Sequence, residues 1–388
     1  MNTRRTGGPA ALRWSRAKWR NALLQVLILA AAIAGALWLA RNTAANLDER
    51  GIAVGWGFLS RPGYFPISQS VLPYSASDTI GWAFAVGLAN TLLMSVLIVV
   101  LSTVLGFALA LARRSSKVLV AGLAAAVVDV LRNTPVIVQL LFWYSLVTLG
   151  LPDIHRALHP IAGVFLSNRG VYLPALKIDG PAVPVRLVWL GLAAGALLAG
   201  SASILRPGRR RILLYAAALA WAIAALIWAT VGLSVGLRPP RLEHVNFIGG
   251  LQLSPEFAAM ALGLVLYSSV YVGEIIRGGI EAVPKGQWEA GLSLGLTRSQ
   301  TLRLLILPQA FRTIIPPLTS QYINVVKNTT LALVVGYPDI SFVAASAISE
   351  TGQAVECVVI LMAVFLLISL LAAAGMNTLN RKFALPSR

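Results

Sequence analysis

Apolar residues occur along the chain in blocks of about 20, the length a helix needs to cross roughly 30 Å of hydrocarbon. Short polar loops separate these blocks. The pattern therefore predicts an all-α, polytopic membrane protein with about eight transmembrane helices, at residues 21–40, 84–112, 118–150, 187–203, 212–236, 256–276, 319–345 and 355–376. Two blocks are less regular, because 187–203 is short and 319–345 contains Lys327, Asn328 and a proline.

The charge distribution predicts an orientation. The chain has 32 Lys and Arg against 14 Asp and Glu, a formal net charge of +18. Loops on one side of the predicted membrane hold 21 of these basic residues, and loops on the other side hold nine. Cytoplasmic loops carry such an excess. We therefore predict a membrane protein with both termini in the cytoplasm, and no nucleic-acid partner.

The same pattern divides the chain into a tail, a first span and one membrane domain. Residues 1–20 hold six Lys and Arg and no acid, which predicts a cytoplasmic basic tail. A cleaved signal peptide has an apolar core of about 7–15 residues; the run 21–40 is longer, so we predict an uncleaved first span. A periplasmic loop rich in Gly, Pro and Ser follows at 41–83, then the membrane domain at 84–376 and a cytoplasmic tail at 377–388.

The longest predicted cytoplasmic loop has a helical pattern. Pro284 suits the first turn of a helix, and Gly295 can end that helix because glycine adopts positive φ without strain. Thr297 and Gln300 have the spacing of a capping box for a second helix. We expect Pro308 to end this second helix, because proline lacks a backbone donor.

The second helix of this loop is amphipathic. Three aliphatic residues share one face: Leu302, Leu305 and Ile306. Arg298 and Arg303 lie elsewhere on the helix, and Glu289 of the first helix faces the cytosol. Two interpretations follow from the pattern: a loop anchored among lipid headgroups, or a rigid projection that docks a soluble partner.

The loop resembles the EAA loop of ABC-importer permease subunits, whose pattern is E-A-A, three residues, G, nine residues, I-x-L-P. Seven positions have the required spacing: Glu289, Ala290, Gly291, Gly295, Leu305, Leu307 and Pro308. Gly291 stands where the family has Ala, and Leu305 replaces Ile. The resemblance implies that these residues couple the chain to an ATPase.

Four further stretches are similar to permeases for polar amino acids: "GLANTLLMSVL", "LRNTPVIVQLLFWY", "YVGEIIRGGIEAVPKGQWEA" and "LPQAFRTIIPPLTSQYINVVKNTTLA". The chain looks most like the larger membrane subunit of general L-amino-acid importers. The resemblance implies a five-helix permease core with the coupling loop at 278–310 and accessory spans within 187–236. The core would consist of spans 84–112, 118–150, 256–276, 319–345 and 355–376.

The resemblance also implies a function and partners. The chain would be the transmembrane permease subunit of an ATP-driven importer of L-amino acids, with broad specificity, in the inner membrane of a bacterium. Its partners would be a second permease chain in a heterodimer, two cytoplasmic ATPase subunits, a periplasmic amino-acid-binding protein and the lipid bilayer. The chain has no G-x-x-x-x-G-K-[ST] phosphate loop. ATP and Mg²⁺ would therefore bind to the separate ATPase, and this chain would be neither an enzyme nor the holder of a cofactor.

Two polar clusters within predicted spans are candidates for the translocation path, since charge in hydrocarbon is costly and usually faces a polar interior. They are Arg132, Asn133, Thr134 and Pro135, and Lys327, Asn328 and Thr329. The first predicts a broken helix whose freed backbone groups face the interior; alternatively, residues 118–131 lie along the interface and Arg132 snorkels. For the second, the alternative is that Thr329 and Thr330 only bond neighbouring helices. Either cation would suit the carboxylate of a zwitterionic amino acid.

The remaining polar residues predict structure more than chemistry. Glu274 and Arg277 have the spacing of a structural ion pair that orients the coupling loop. His155 and His159 have i, i+4 spacing, but without a third ligand they predict no metal site. The sequence shows no catalytic constellation, which disfavours a membrane-embedded enzyme. A transporter driven by an ion gradient should carry acids at mid-span, and we count none; it remains an alternative, with a permease for another small polar solute.

Overall fold

The computed structural model describes residues 16–49, 55–179, 181–202, 207–232 and 234–383. Its helices within these residues are α1 Arg16–Glu49, α2 Ile80–Arg113, α3 Val118–Asn133, α4 Val136–Ser145, α5 Ala182–Ala202, α6 Pro207–Val231, α7 Pro255–Glu281, α8 Lys285–Ser293, α9 Arg298–Thr301, α10 Leu307–Asn328, α11 Ala332–Val335, α12 Ile340–Thr351 and α13 Ala354–Phe383. Short 3₁₀ segments lie at Trp56–Ser60, Ile154–Arg156 and Thr329–Leu331, and π-helical turns at Leu146–Gly150 and Leu302–Ile306.

The helices agree with a polytopic membrane protein. Six described helices are long and apolar enough to cross a bilayer, and eight spans result if each of two bent helix pairs counts as one. The predicted span 118–150 is the first bent pair, with a bend of 103°. The predicted span 319–345 lies within the second pair, Arg298–Val335 and Ile340–Thr351, which bends by 49°. The first helix is longer than predicted: α1 continues to Glu49 instead of ending at residue 40. The predicted tail 1–20 lies mostly outside the described residues.

The helical core forms around α2 and α7, whose backbones approach closely. A Cβ built on Gly106 of α2 would lie 2.7 Å from the Ser269 carbonyl oxygen of α7, and one on Gly273 would lie 3.0 Å from the Gly106 carbonyl oxygen. Small residues at such a crossing replace the hydrophobic driving force that lipid removes, because they allow dense van der Waals packing. Helix α10 packs against α7 and α13, and α4 against α7. We call the end of this core at which α2 and α7 end the α8 side, and the end at which they begin the sheet side.

The accessory helices α5 and α6 pack mainly on each other. Gly191 and Gly195 of α5 lie one turn apart on the contact face, where Gly191 meets Ala224 of α6 and Gly195 meets Trp221. The Trp221 indole N–H donates to the Leu192 carbonyl oxygen at 3.4 Å. The pair is therefore a self-contained hairpin whose outer faces are largely apolar and exposed, as lipid contact requires.

Seven short strands, which the sequence did not predict, lie between α4 and α7. They are β1 Phe165–Ser167, β2 Gly170–Leu173, β3 Ala175–Asp179, β4 Ser234–Arg238, β5 Arg241–Glu243, β6 Asn246–Ile248 and β7 Leu251–Leu253. They form a sheet of order β1-β2-β7 and the antiparallel pairs β3-β4 and β5-β6. His155 and His159 do not share a helix as their spacing suggested; the His159 ring lies 4.2 Å from the Phe165 ring.

Residues 55–79, predicted as a plain periplasmic loop, pack tightly over the sheet side. Phe58 and Phe65 are buried in a cluster with α2, α12 and α13. The Gly55 backbone N–H donates to Glu356 Oε1 at 2.7 Å, which ties the segment to the start of α13. The Ser254 backbone N–H donates to Gln69 Oε1 at 3.0 Å, which ties it to the start of α7.

Asn90 is the central polar residue beneath this segment, and sequence reasoning did not single it out. Its side chain is 1% exposed and makes three hydrogen bonds. Nδ2 donates to the carbonyl oxygens of Gln69 at 2.9 Å and Pro338 at 2.8 Å, and Oδ1 accepts from the Val71 backbone N–H at 3.0 Å. The Tyr337 hydroxyl donates to the Asn90 carbonyl oxygen at 3.3 Å. We call this arrangement the Asn90 node; it joins α2, residues 69–71 and the link between α11 and α12.

Candidate coupling segment and membrane path

The coupling segment, residues 285–309, begins with a short helix and a glycine turn. Helix α8 starts directly after Pro284, as predicted. Gly295 has φ +79°, the left-handed conformation that glycine adopts without strain. The turn is closed by backbone bonds from Gly295 N–H to the Leu292 carbonyl oxygen at 3.0 Å and from Leu296 N–H to the Gly291 carbonyl oxygen at 3.2 Å. The predicted helix end at Gly295 is confirmed.

The predicted capping box starts the second helix. Thr297 Oγ1 accepts from the Gln300 backbone N–H at 3.3 Å, and Gln300 Oε1 accepts from the Thr297 backbone N–H at 2.9 Å. Two backbone donors that helix geometry leaves free are thereby satisfied. Of the aliphatic face, Ile306 is buried and Leu302 and Leu305 are half-buried.

The prediction that Pro308 ends this helix is wrong. The chain continues from α9 through the π-helical turn Leu302–Ile306 directly into α10, which ends at Asn328. Pro308 stands in the first turn of α10, where a missing backbone donor is tolerated. The wide π turn changes the hydrogen-bond pattern before the proline. Residues 298–328 are therefore one nearly continuous helical rod of about 46 Å at 1.5 Å per residue.

Gly291 packs where the two short helices meet. A Cβ built on it would lie 2.5 Å from Thr301 Cγ2 and 2.9 Å from Leu305 Cδ1. The departure from the Ala of the resembled pattern thus has a physical reason, since α8 and α9 approach too closely for a side chain. Its neighbours Glu289 and Ala290 are exposed on the outer surface of α8. Leu307 is half-buried and Pro308 exposed.

Glu274 and Arg277 form the predicted ion pair, within a larger set of charges on the α8 side. Arg277 Nη2 lies 3.0 Å from Glu274 Oε2, and its Nη1 lies 2.6 Å from Glu281 Oε2. Arg113, in the last turn of α2, also pairs with Glu274. Glu274 therefore bonds α7 to α2 in addition to its partner on the same helix.

The first path cluster lies at the sharpest break of the fold. The 103° bend between α3 and α4 falls on Thr134 and Pro135, as the sequence predicts. Buried Gln139, which sequence reasoning missed, donates through Nε2 to the carbonyl oxygens of Leu131 at 2.8 Å and Thr134 at 3.0 Å. The break thus frees two backbone carbonyl groups, and the Gln139 side chain supplies their hydrogen-bond donor, as a break within lipid requires. Arg132 and Asn133 are exposed, which both interpretations of this cluster allow.

The second path cluster lies at the end of the rod. Lys327 is exposed, Asn328 is half-buried and Thr329 is buried. The Thr329 hydroxyl donates to the Val326 carbonyl oxygen at 2.7 Å, and that of Thr330 to the Lys327 carbonyl oxygen at 2.8 Å. These hydroxyls bond their own helix, so bridging to a neighbouring helix is not their role in this conformation. The structure places this cluster and that at 132–135 on different helices, α10 and α3, both of which contact α7.

Five acids lie within the predicted spans. Glu256, Glu274 and Glu356 are at span ends, but Asp129 and Asp339 lie further in and correct the count of none at mid-span. Asp129 is exposed on α3. Asp339 is fully buried, and its Oδ1 accepts from the backbone N–H groups of Ser341 at 3.0 Å and Phe342 at 2.9 Å. That geometry is an N-cap of α12. Helix capping therefore explains why Asp339 is present, and no role in ion transport is needed to account for it.

Comparison with known proteins identifies the family. The sequence profile described as "Binding-protein-dependent transport system inner membrane component" matches residues 102–384. The chain belongs to this family. It is therefore a multi-pass permease subunit of a transport system, and the predicted family resemblance is confirmed.

Relatives similar over their whole length agree with this assignment. The chain is 41% identical to the "Putative amino-acid ABC transporter permease protein YhdX" of Escherichia coli (strain K12), over 100% of both chains. It is 35% identical to the "General L-amino acid transport system permease protein AapQ" of Rhizobium johnstonii, over 96% of this chain and 94% of that one. It is 34% identical to the "Glutamate/glutamine/aspartate/asparagine transport system permease protein BztB" of Rhodobacter capsulatus, over 96% and 95%.

Proposed function

We propose that this permease is the membrane subunit of an ATP-driven ABC importer of L-amino acids. The observation that carries the proposal is the coupling segment: a short helix and a glycine turn lead into the rod and present Glu289 and Ala290 outward. The names of the full-length relatives support amino acids as the substrate class. In this function Glu289, Ala290, Gly291, Gly295, Leu305, Leu307 and Pro308 couple the permease to its ATPase.

The proposed assembly contains several chains. Two cytoplasmic ATPase subunits bind ATP and Mg²⁺ and dock on the coupling segments of two permease chains, this one and a related second subunit. A periplasmic amino-acid-binding protein delivers the substrate on the sheet side. Both termini of the chain lie in the cytoplasm of a bacterium, and the α8 side therefore faces the ATPase. No nucleic acid takes part.

The rod suggests how ATP hydrolysis is transmitted. Closure of the ATPase dimer displaces α8 and α9, and α9 continues without a stop into α10. A push at Arg298 therefore acts on the helix that carries Lys327, Asn328 and Thr329 at its other end. The two permease chains then alternate between inward-facing and outward-facing arrangements.

The substrate path in this proposal runs between the two polar clusters. Arg132 and Lys327 are exposed cations within predicted spans, where charge is costly. Either suits the carboxylate of an amino acid. Asn133, Thr134 and Pro135 shape the break beside the first cation, and Asn328 and Thr329 lie beside the second.

The proposal is tested by purifying the chain with its co-expressed partners and reconstituting it in liposomes. We expect co-purification with an ATPase subunit and amino-acid uptake that requires ATP and the binding protein. Uptake that persists without ATP and follows an ion gradient would favour the secondary transporter instead. Uptake of a different polar solute alone would retain the ABC mechanism and reject the amino-acid substrate.

Arg132→Ala and Lys327→Ala test the path. We expect each to lower amino-acid uptake about tenfold, the effect of losing roughly 1.4 kcal/mol of interaction with a substrate carboxylate, while co-purification of the ATPase is unchanged. Arg312→Ala is the matched control, because Arg312 is an exposed arginine on α10 outside both clusters and outside the coupling segment. Wild-type uptake in both path variants would remove these residues from the path.

A further inference from the structure

The charges on the α8 side extend beyond Glu274 and Arg277 to the coupling segment itself. Glu281 at the end of α7 accepts from Arg277 and also lies 3.5 Å from Nη1 of Arg114, measured at Oε1. The Arg114 guanidinium carbon lies 5.7 Å from the ring centroid of Trp288, on α8. The contacts therefore form one continuous series. It begins at Arg113 of α2 and passes through three charged residues of α7, Glu274, Arg277 and Glu281. From Glu281 it continues to Arg114 and ends at Trp288 on α8.

Arg114 occupies a fixed place at the end of α2. Its backbone N–H caps that helix by donating to the Leu111 carbonyl oxygen at 3.1 Å. Its side chain then leaves α2 towards both Glu281 and Trp288, and 29% of that side chain is exposed. The planar guanidinium can bond a carboxylate at its edge while its face lies over an aromatic ring, which the ammonium of a lysine cannot do.

Trp288 is the residue of α8 that the Arg114 guanidinium contacts. It directly precedes Glu289, the residue proposed to dock the ATPase. Its ring is half-buried and packs on the apolar cluster that includes Ile280 and Val283. Arg114, Trp288 and Glu281 also line a cavity of about 630 Å³ between α2, α7, α8 and α9. A shift of α8 therefore displaces this ring relative to α2.

The connectivity of the chain gives Arg114 its importance. Helix α8 joins α7 covalently through residues 282–284, and it joins the rod through the Gly295 turn. Helix α2 ends more than 150 residues earlier and is not connected to α8 by a short loop. Any movement of α8 that reaches α2 directly must pass through non-covalent contacts, and Arg114 supplies a polar one.

We infer that Arg114 is a positioning residue that transmits displacement of α8 to α2 through Trp288 and Glu281. The inference rests on the proposed coupling function and assigns α2 a part in it. Exposed ion pairs stabilise a protein little, so the expected effect is on the coupling of transport to hydrolysis and not on folding.

The test compares amino-acid uptake with ATP hydrolysis in liposomes that contain the complete transporter. We expect Arg114→Gln and Trp288→Leu each to lower the amount of amino acid taken up per ATP hydrolysed about fivefold, the size of one lost cation–π contact. The double variant should lower this ratio no further than either single variant, because both remove the same contact. Trp288→Tyr, which keeps an aromatic face, should lower the ratio less than Trp288→Leu does. Lys117→Gln is the matched control, since it removes a nearby exposed cation and should leave the ratio unchanged.

Three outcomes would overturn the inference: an unchanged ratio in both single variants, additive losses in the double variant, or equal losses of uptake and hydrolysis with reduced yield of the complex. The last would show that Arg114 and Trp288 only stabilise the assembly. If the wild-type transporter takes up amino acids without ATP, the proposed function itself fails, which is a separate result.

Discussion

Gly291→Val should abolish most amino-acid uptake while the chain still inserts in the membrane. A valine side chain at this position meets Thr301 Cγ2, which would lie 2.5 Å from the added Cβ, and Leu305 Cδ1 at 2.9 Å. Overpacking of this kind costs about 1–3 kcal/mol. Because α8 and α9 are short and depend on this contact, we expect them to separate and the Gly295 turn to lose its closure. The measurement is ATP-driven uptake, with ATPase co-purification as a second readout.

The substitution has graded and matched controls within the same helix. Gly291→Ala adds one carbon, and a small shift of Leu305 can accommodate part of it, so we expect a partial loss. Gly286→Ala adds the same carbon to α8 at a position with no atom within 4 Å of the new Cβ, so it should behave as wild type. Thr301→Ala removes two of the three atoms nearest to the new Cβ and should restore uptake to Gly291→Ala.

The rescue distinguishes packing from other causes. If Gly291→Ala and Gly286→Ala lower uptake equally, helix propensity or surface chemistry is responsible, and close packing of α8 on α9 is not. If Thr301→Ala fails to rescue, the strain lies elsewhere than in the contact with α9. Wild-type uptake in Gly291→Val would show that the ATPase does not read the geometry of this segment.

Local sequence signals predicted the coupling segment well, because its short helices are defined by residues close to one another in the chain. The capping box joins residues three apart, and the Gly295 turn is closed within five residues. Pro308 was misinterpreted for the same reason. A proline ends a helix only if it falls in the interior, and the π turn that moves it to the first turn of α10 has no local signature.

The parts that were not predicted depend on contacts between distant residues. The strands of the insertion are three to five residues long, and β2 pairs with β7 across the entire α5–α6 hairpin. Strands this short carry almost no alternation of polar and apolar residues, so periodicity cannot detect them. Asn90 was overlooked although "GLANTLL" was noticed, since one of its partners, Pro338, lies 248 residues away.

The intramembrane positions show what polarity in a span does and does not reveal. Asn90, Gln139 and Asp339 are all buried, and each bonds backbone groups freed at a helix break or end. Arg132 and Lys327 are exposed and have no such bonds within the part of the chain that the structure describes. Sequence reasoning selected the charged pair because charge in lipid is costly. The amide side chains of Asn90 and Gln139, which bond the backbone at these breaks, gave a weaker signal because they carry no charge.

Asn90→Ala should destabilise the assembled transporter more than other single polar deletions on the sheet side. The change removes three hydrogen bonds and leaves the Gln69 and Pro338 carbonyl groups and the Val71 N–H group without this partner. A buried polar group that loses its partner costs about 1–3 kcal/mol, so we expect a loss of at least about 3 kcal/mol from the node. The measurement is the thermal melting temperature of the purified complex in detergent. Asn46→Ala is the matched control, because Asn46 makes one exposed hydrogen bond within α1 and should melt as wild type.

Asn90→Asp separates the hydrogen bonds from the volume of the side chain. The aspartate oxygen in place of Oδ1 can still accept from Val71, but the other oxygen faces the carbonyl oxygens of Gln69 and Pro338, where Nδ2 donated before. Lone pairs then oppose lone pairs in a buried site, and an ionised carboxylate adds a desolvation penalty. We expect this nearly isosteric variant to melt at or below the temperature of Asn90→Ala. If it melts as wild type, the node is held by packing. If Asn90→Ala also melts as wild type, neither the hydrogen bonds nor the volume of the Asn90 side chain stabilises the link between α11 and α12.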